Sequence, residues 1–329
     1  MKQDERPLLG IDIGGTKIAV CVGLPDGRLL DRRRFPAEPE RGPEDAVRRT
    51  ADAARESLAA AGLTAGELHP RVGVSAAGPL SSRRGIFLDP PNMPGWHGFP
   101  ITEKLGAALG LPVELMNDAN AAAWAEWRFG AGRGSETMVF VTMSTGMGAG
   151  LVIGGRLHEG RDDFAGEVGH ARLSPDGPVG FGRRGSLEGY CSGPGIEQLA
   201  ALELVRARHD GRDSSLLALP SAPHPTMPEI GAAAHAGDPV ALAVLAEVGE
   251  RFGTWAADIV DLLNPERIVL GTIGRLHFDL IAPAARAAID REAHPTPAAR
   301  VELLPAALGE TTGELAALAA VLARRRDLD

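Results

Sequence analysis

Apolar and polar residues alternate along the first part of the chain as they do in paired strands. The segments LLGIDI, IAVCVGL and RLLDRRRF follow one another over residues 8–35, separated by Gly14-Gly15 and by Pro25-Asp26-Gly27. An alternation of period two, bounded by turn residues, is typical of β-strands. The pattern therefore predicts a three-stranded meander.

The chain then switches between helical and strand periodicity. A stripe formed by Val47, Ala51, Ala54, Leu58 and Ala61 predicts a helix after Gly42-Pro43. The other elements predicted in this half are strands at Val72–Ser75 and Leu111–Met116, a loop from Ala76 to Pro100, and a helix that follows the segment NDAN at 117–120.

From residue 137 the pattern of strand, glycine turn and strand returns as MVFVTM, STGMG and AGLVIGG. The elements predicted after it are a polar, glycine-rich stretch over 156–195, helices at Ile196–Arg208 and Asp238–Leu263, an exposed loop over 209–225 and a strand over 267–274. Strands that alternate with helices, twice over, predict an α/β protein of two similar lobes. The cleft between the lobes is the expected ligand site.

Composition narrows the class of protein. The length of 329 residues suggests two domains, at about 150 residues each. Lys and Arg number 34 against 43 Asp and Glu, and the resulting net charge of −9 disfavours a nucleic-acid partner. Two cysteines are too few for a disulfide framework, and no segment resembles a signal peptide or a membrane helix. We therefore expect a cytoplasmic protein without a membrane partner.

The segment at 12–17, Asp-Ile-Gly-Gly-Thr-Lys, has the residue types that bind phosphate. Gly14 and Gly15 let backbone N–H groups approach a phosphate, Thr16 adds a donor and Lys17 a positive charge. Asp12 can hold Mg²⁺, through water, because that ion keeps much of its hydration. The alternative interpretation is a two-residue Gly-Gly β-turn without a ligand.

A second turn, Ser144-Thr145-Gly146-Met147-Gly148-Ala149-Gly150, repeats the same features. Two such turns that face each other across a cleft can hold a triphosphate from both sides, which a single turn cannot do. The alternative is that these glycines serve only a β-turn or a bulge.

Several acidic residues are candidates for the chemistry. Asp118 lies where a strand ends and a helix begins, so it can cap the helix, and as a carboxylate it can also accept a proton from an attacking hydroxyl. Glu167, His170 and Glu188 lie in the second glycine-rich stretch, where they can bind either a metal or neighbouring sugar hydroxyls. We favour the sugar, and the alternative is that these are ordinary surface residues.

With these motifs in order, the chain resembles the ROK (repressor, open reading frame, kinase) family over nearly its whole length. The resemblance rests on DIGGTK at 12–17, SAAGPL at 75–80, PNMPGW at 91–96, NDAN at 117–120, STGMGAG at 144–150, AGEVGH at 165–170, GRRGSLEGYCSG at 182–193 and the stretch over 232–271 that begins AAAHAGDPVA and ends LLNPERIVLG.

The resemblance implies the two-lobed actin-like ATPase and sugar-kinase fold, which is ribonuclease H-like. It implies a small N-terminal domain over 1–117, joined by a C-terminal helix at about 311–329, and a larger domain over 118–310. It further implies an ATP-dependent hexokinase that uses Mg²⁺ and forms a homodimer, with Asp118 as the base for the sugar 6-hydroxyl.

The resemblance also assigns residues to ligands. The expected phosphate and nucleotide contacts are Asp12, Gly14, Gly15, Thr16, Lys17, Thr145, Gly146 and Gly271. The expected sugar contacts are Gly78, Asn92, Asn117, Asp118, Glu167, His170 and Glu188. Closure of the lobes over the sugar would expel water, so that the sugar hydroxyl attacks ATP.

Two departures from the family pattern change the expectation. Many members hold a structural zinc with one His and three Cys, but here the cysteine positions are Val179, Phe181 and Ser186, so we expect no zinc. Phe181 is expected to pack the loop in place of the metal. In the adenosine-side turn, Thr272 and Ile273 replace common glycines.

Within the family, the main alternative to a kinase is a sugar-responsive repressor. Repressors carry a DNA-binding segment ahead of the first phosphate motif, whereas eleven residues precede Asp12 here, so we favour the kinase. Among sugars we predict glucose, with N-acetylmannosamine, N-acetylglucosamine and fructose as alternatives.

Overall fold

The structure, a computed structural model, describes residues 5–90 and 93–323. Its strands are β1 (Leu8–Ile13), β2 (Lys17–Gly23), β3 (Leu29–Pro36), β4 (Val72–Ala76), β5 (Leu80–Ser81), β6 (Ile86–Phe87), β7 (Val113–Asn117), β8 (Met138–Met143), β9 (Met147–Ile153), β10 (Arg156–His158), β11 (Val179–Gly180), β12 (Arg183–Arg184), β13 (Arg267–Leu270) and β14 (Glu302–Pro305). Its α-helices are α1 (Pro43–Ala60), α2 (Ile101–Leu109), α3 (Asp118–Phe129), α4 (Leu187–Cys191), α5 (Gly193–Asp210), α6 (Met227–His235), α7 (Pro239–Leu263), α8 (Thr272–Leu276), α9 (Phe278–Glu292), α10 (Pro295–Ala298) and α11 (Thr312–Val321).

The first sheet has the strand order β3-β2-β1-β4-β7. Strands β1, β2 and β3 form the predicted antiparallel meander, and β4 and β7 run parallel to β1. Its two faces follow from the alternation along β1. Leu9, Ile11 and Ile13 belong to a hydrophobic core that also contains residues of α1 and α2. On the other face, Gly10 and Gly73 leave room for the backbone of α11, with which a side chain at either position would collide.

The local sequence explains where the helices of this part begin. Helix α1 opens with Pro43 at its first turn and buries Val47, Ala51 and Ala54 of the predicted stripe, while Leu58 and Ala61 are partly buried. Helix α3 is capped by Asn117, whose Oδ1 accepts hydrogen bonds from the amides of Ala119 and Asn120. Helix α2 was not predicted, since its nine residues follow a loop rich in Gly and Pro. That loop contains the short strands β5 and β6.

The second sheet has the order β10-β9-β8-β13-β14, which matches the order of the first sheet. Strands β8, β13 and β14 are parallel, and β9 pairs with β10 in antiparallel fashion. The repeated pattern of strand, glycine turn and strand in the sequence therefore does correspond to a repeated sheet topology.

Two predictions for the C-terminal half are wrong. The strand predicted over 267–274 ends at Leu270, because Gly271 caps the short helix α8 that begins at Thr272. The segment 209–225 is not simply an exposed loop: Leu216 is fully buried, and the hydroxyls of Ser214 and Ser215 donate to Asp238, the cap of α7. The bounds predicted for α7 agree closely with the structure.

The chain divides into two compact units. One contains residues 1–134, 150–165 and 307–329, and the other contains 135–149 and 166–306. The domains proposed from the sequence, 1–117 and 118–310, are drawn differently and stay a prediction. Helix α11 forms most of the predicted C-terminal helix, and residues 324–329 lie outside the described residues. Within the described ranges, each helix is either too short or too polar to cross a membrane.

Candidate active site

Three loops of the first unit leave the same edge of its sheet. Ile13, Ala76 and Asn117 are aligned on the parallel strands β1, β4 and β7, and each is the last residue of its strand. The amide of Ala77 donates to the carbonyl of Ile13 at 3.2 Å, which holds two of these loops together. In α/β proteins ligands bind at the carboxyl ends of parallel strands, so this edge is the candidate site of the first unit.

The glycine turn after β1 is open rather than tight. Strand β1 ends at Ile13 and β2 begins at Lys17, so three residues connect them, and the two-residue turn considered from the sequence is not formed. The Gly14 amide donates to the Lys17 carbonyl at 3.0 Å. A Cβ on Gly14 would lie 3.3 Å from that oxygen. The turn therefore favours glycine because a side chain has little room there, and not because the backbone has a positive φ. Thr16 and Lys17 are exposed.

Asp12 lies one residue before the end of β1, in a polar environment below the turn. Burial raises the pKa of its carboxyl group above the ordinary value, while a hydrogen bond from Ser75 and the charge of Lys17 act in the opposite direction. Gly313, in the first turn of α11, abuts the carboxylate so closely that a side chain there would collide with it. The chain therefore holds Asp12 on a crowded face next to a helix N-terminus.

Asp118 is the first residue of α3 and is exposed. Its Oδ1 accepts a hydrogen bond from the Ala119 amide at 2.8 Å. Because Asn117 occupies the capping position, Asp118 is not the N-cap that its sequence position alone would suggest. Asn117 also extends toward the loop after β4, where a Cβ on Gly78 would lie 3.0 Å from its Nδ2. The structure thus brings together Gly78, Asn117 and Asp118.

The second unit carries its own turn at the carboxyl ends of parallel strands. The amide of Ser144 donates to the carbonyl of Gly146 at 2.9 Å, and Thr145 at the tip is exposed. On the neighbouring strand the amide of Gly271 donates to the carbonyl of Val141 at 2.8 Å. The predicted phosphate turn and the predicted adenosine-side turn therefore leave one sheet edge together.

Glu188 connects the predicted sugar contacts to this turn. Its Oε2 accepts a hydrogen bond from the Met147 amide at 3.0 Å, and a Cβ on Gly146 would lie 3.1 Å from the same oxygen. Helix α4, which carries Glu188, is capped by Ser186 and tied to the preceding turn by the bond from the Leu187 amide to the Ala171 carbonyl. A half-buried carboxylate is thereby fixed directly beside the glycine turn.

Glu167 caps the short 3₁₀ helix Val168–His170, which ends with His170, and His170 Nε2 lies 3.8 Å from Glu167 Oε2. Gly169 between them is buried, and a Cβ there would lie 3.2 Å from Cβ of Glu188. The three residues predicted to contact sugar in this stretch are therefore neighbours in space. The side chains of Glu167 and His170 are 54% and 32% exposed, so both are accessible to a ligand.

The positions where relatives in the family carry zinc ligands have structural roles here. The Phe181 ring meets the His170 ring edge-on, with 4.8 Å between centroids, although Phe181 itself remains 73% exposed. Ser186 caps α4, and the amide of Gly185 donates to the Pro178 carbonyl, so hydrogen bonds connect this loop. Over 5–90 and 93–323, no three His, Cys, Asp or Glu residues form a group suited to a metal ion. The absence of zinc stays a prediction.

In the adenosine-side turn, a residue other than glycine adopts a backbone conformation that favours glycine. Thr272 has a φ of 48°, in the left-handed region that β-branched residues avoid. Its hydroxyl lies 3.4 Å from that of Thr142 on β8. Ile273 is buried, close to Gly193 at the start of α5.

Two buried acids of the first unit are absent from the residues predicted from the sequence, and one predicted sugar contact lies outside the described residues. Glu314 and Glu126 are 2% and 0% exposed. Glu314 is the single charged residue of the apolar helix α11, and this signal could have pointed to it, whereas α3 also carries Asp118 and Arg128 and gives no such signal for Glu126. Asn92, a predicted sugar contact, lies outside the described residues.

Two sheets of one strand order, each with a glycine turn at the carboxyl ends of parallel strands, define an α/β protein of the actin-like, phosphate-binding class. Comparison with known proteins identifies the family. The family model described as ROK family matches residues 8–325, so the chain belongs to the ROK family. The predicted fold class and resemblance are thereby confirmed.

Several relatives are kinases. The chain is 34% identical to a glucokinase of Thermotoga maritima over 287 residues, which cover 86% of this chain and 87% of that protein. It is 40% identical to an N-acetylmannosamine kinase of Escherichia coli O157:H7 over 200 residues, 60% of this chain and 66% of that protein. Its fold matches a ROK family glucokinase from Streptomyces griseus, solved with glucose and AMPPNP, with a TM-score of 0.74, 34% identity and coverage of 97% and 99% of the two chains.

A regulator of the same family shares the fold. A ROK family transcriptional regulator, a homologue of the E. coli MLC protein, matches with a TM-score of 0.81 and 25% identity, covering 96% of this chain and 77% of that one. Fold alone therefore does not separate a kinase from a regulator, and residues must do so.

Proposed function

We propose that this ROK protein is an ATP-dependent hexose kinase that phosphorylates the 6-hydroxyl of glucose, with Asp118 as the general base. The observation that carries the proposal is the position of Asp118. Asp118 is exposed at the start of α3, at the same sheet edge as the Asp12–Lys17 turn. Because Asn117 caps α3, the Asp118 carboxylate is not needed for capping. The extensive similarity to glucokinases supports the class of reaction and ATP as donor.

In this proposal the chain's own residues bind and orient the reactants. Asn117, Glu167, His170 and Glu188 hold sugar hydroxyls, and the two glycine turns hold phosphates. Asp118 accepts the hydroxyl proton as the sugar oxygen attacks the γ-phosphorus, and the bond from that phosphorus to the β,γ-bridging oxygen breaks, so that ADP leaves. Phosphoryl transfer asks mainly for positioning and charge neutralisation, so a carboxylate of ordinary basicity is a sufficient base. The hydrogen bond from Ala119 to Asp118 Oδ1 orients the carboxylate.

Mg²⁺ is part of the proposal, with Asp12 as its protein contact through water. The residues present fit this ion: Asp12 is a carboxylate whose burial disfavours its charged form, so a neighbouring cation would stabilise it. When bound, Mg²⁺ supplies charge neutralisation on the phosphates.

The choice of glucose follows from the relatives at 34% identity, whose matches cover at least 80% of this chain. N-acetylmannosamine is the first alternative, because the 40% identity to N-acetylmannosamine kinases covers a shorter segment of 200 residues. N-acetylglucosamine and fructose follow. A homodimer and a cytoplasmic location also stay proposals; light scattering on the purified chain tests the first of them.

The test is a coupled assay of ADP release with each of the four sugars, Mg²⁺ and ATP. We expect glucose to give the highest kcat/KM. Asp118→Asn should lower kcat by about 10²- to 10⁴-fold with little change in sugar affinity, as expected for loss of a base. Asp258→Asn, on an exposed face of α7, is the matched control and should behave as wild type.

Three outcomes contradict the proposal. If no sugar stimulates ADP release above the rate of ATP hydrolysis without sugar, the chain is not a hexose kinase. Sugar binding without turnover would then favour a sensor function. If Asp118→Asn loses binding and turnover in parallel, Asp118 supports the fold instead of acting as base. Preference for another sugar corrects the substrate and leaves the reaction class intact.

A further inference from the structure

One row of residues crosses the first sheet at the level of Asp12. Asp12 on β1 is opposite Ala19 on β2, and Ala19 is opposite Arg34 on β3. Residues aligned across a sheet project from the same face, so the side chains of Asp12 and Arg34 share a face with only the methyl group of Ala19 between them. An arginine side chain is long enough to extend over Ala19 toward Asp12.

Helix α11 begins on this face and brings a second carboxylate to the row. Gly313 abuts Asp12, and the next residue, Glu314, is 2% exposed. Arg34 Nε donates to Glu314 Oε1 at 2.6 Å, and Arg34 Nη2 donates to the carbonyl of Glu310 at 3.0 Å. The guanidinium of Arg34 is therefore engaged by the first turn of α11 and by the segment just before it.

The charge and hydrogen bond of Arg34 stabilise the Glu314 carboxylate against the effect of burial. Burial alone would raise the pKa of Glu314, but the hydrogen bond and charge of Arg34 outweigh it, so the pKa lies below the ordinary value and the pair is charged near neutral pH. A buried carboxylate beside a buried carboxylate is unfavourable unless a cation is shared. Asp12, Glu314 and Arg34 thus lie together within reach of the charge of Lys17, and the Arg34 guanidinium is oriented to Glu314.

We propose that Glu314 is a positioning residue: it holds the Arg34 guanidinium away from Asp12, so that the Asp12 carboxylate remains available to a hydrated divalent cation. The inference rests on the proposed function, in which Asp12 contacts Mg²⁺. Without Glu314, the carboxylates that still act on Arg34 are those of Glu310 and Asp12, and Asp12 is the one aligned with Arg34 across the sheet. A guanidinium paired with Asp12 would compete with the metal ion for the same oxygen atoms.

The test compares Glu314→Gln with the double variant Arg34→Met/Glu314→Gln. Nucleotide-dependent thermal stabilisation is measured with AMPPNP over a Mg²⁺ titration, because a ligand that binds the folded state raises Tm with its concentration. This readout requires no catalysis. Mg²⁺ dependence of ADP release is recorded in parallel.

For Glu314→Gln we expect the Mg²⁺ concentration at half-maximal stabilisation to rise by about tenfold. The double variant should return to the wild-type concentration, because the competing guanidinium is gone. It should also fold, since neutral groups of similar size commonly replace a buried ion pair. Glu302→Gln, which removes the carboxylate of the Arg267 pair on β14, is the control and should not alter the titration.

The inference is overturned if Glu314→Gln leaves the Mg²⁺ titration unchanged. It is equally overturned if the double variant needs as much Mg²⁺ as Glu314→Gln, since the pair would then be merely structural. If Glu314→Gln does not fold, the double variant alone is compared with the wild type. A Mg²⁺ concentration at half-maximal stabilisation equal to that of the wild type supports the inference, and a tenfold higher concentration overturns it. A chain with Mg²⁺-dependent nucleotide binding but no sugar phosphorylation refutes the proposed function alone, and a wild-type chain without such binding refutes the inference.

Discussion

Glu126 on α3 is a fully buried carboxylate that binds two distant segments of the first unit. Its Oε2 accepts hydrogen bonds from the amides of Ala131 and Ala307 at 2.8 and 3.1 Å, and its Oε1 from the amide of Leu308 at 2.9 Å. The chain leaves this unit after residue 134, re-enters it over 150–165 and returns for the last time at residue 307. Glu126 therefore joins the outgoing and the returning segments.

We predict that Glu126→Gln lowers the free energy of unfolding by about 2.5–6 kcal/mol. Hydrogen bonds to a charged group contribute about 1.5–3 kcal/mol each, and a buried donor left unpaired costs about 1–3 kcal/mol. Glutamine keeps one acceptor oxygen and replaces the other with an NH₂ group that cannot accept from Leu308 or from Ala307. The loss of one such bond, plus a donor facing a donor, gives the stated range.

Urea unfolding followed by tryptophan fluorescence measures this loss. Three of the four tryptophans, Trp96, Trp124 and Trp127, lie in the first unit, and the rings of Trp124 and Trp127 stack at 4.7 Å on α3 itself. The emission therefore reports mainly the unfolding of this unit. Glu103→Gln, exposed in the first turn of α2, is the control and should change stability by less than about 0.5 kcal/mol.

A loss below about 1 kcal/mol for Glu126→Gln would refute the reasoning, because it would mean that water or other groups satisfy the amides of Ala307 and Leu308. Trp255 lies in the second unit. A loss of unfolding free energy of the predicted size, with the environment of Trp255 unchanged, would place the effect in the first unit, where the contacts of Glu126 lie.

Two further predictions concern acid stability and metal content. Burial alone would raise the pKa of Asp238, but hydrogen bonds from Ala241, Ser215 and Ser214 lower it overall, so its stabilising contribution is present near neutral pH and is lost as pH falls below about 4. Asp238→Asn should therefore flatten the fall of unfolding free energy in that range, measured by urea unfolding from pH 6 to pH 3; an unchanged slope would contradict the assignment. Elemental analysis of the purified chain should find no stoichiometric zinc, and one equivalent per chain would show that the loop over 179–186 was misinterpreted.

Sequence patterns predicted those elements whose signals are local. Helix α7 was predicted nearly to the residue, because Asp238 and Pro239 begin it and Asn264, in the left-handed region, ends it. Helix α2 was missed because its nine residues give too few turns for a clear period. The strand over 267–274 was predicted too long because an apolar run does not show where a glycine ends a strand.

The same distinction holds for the candidate site. Asp118 and the turn after β1 each lie within a short recognisable motif, NDAN at 117–120 and DIGGTK at 12–17, so a sequence pattern can find them. Glu314 and Arg34 are 280 positions apart, and Glu126 is 181 positions from Ala307. Contacts at such separation depend on how α3 and α11 pack, which periodicity along the chain does not encode.

Those long-range contacts also link the two carboxylates proposed for the chemistry. Helix α3 begins with Asp118, and near its end Glu126 binds the segment that leads into α11. Helix α11 in turn begins against Asp12, with Glu314 engaging Arg34 beside it. The proposed base and the proposed metal-side carboxylate are therefore connected through two packed helices of one unit, so their separation is fixed by packing within that unit and does not depend on loop conformation.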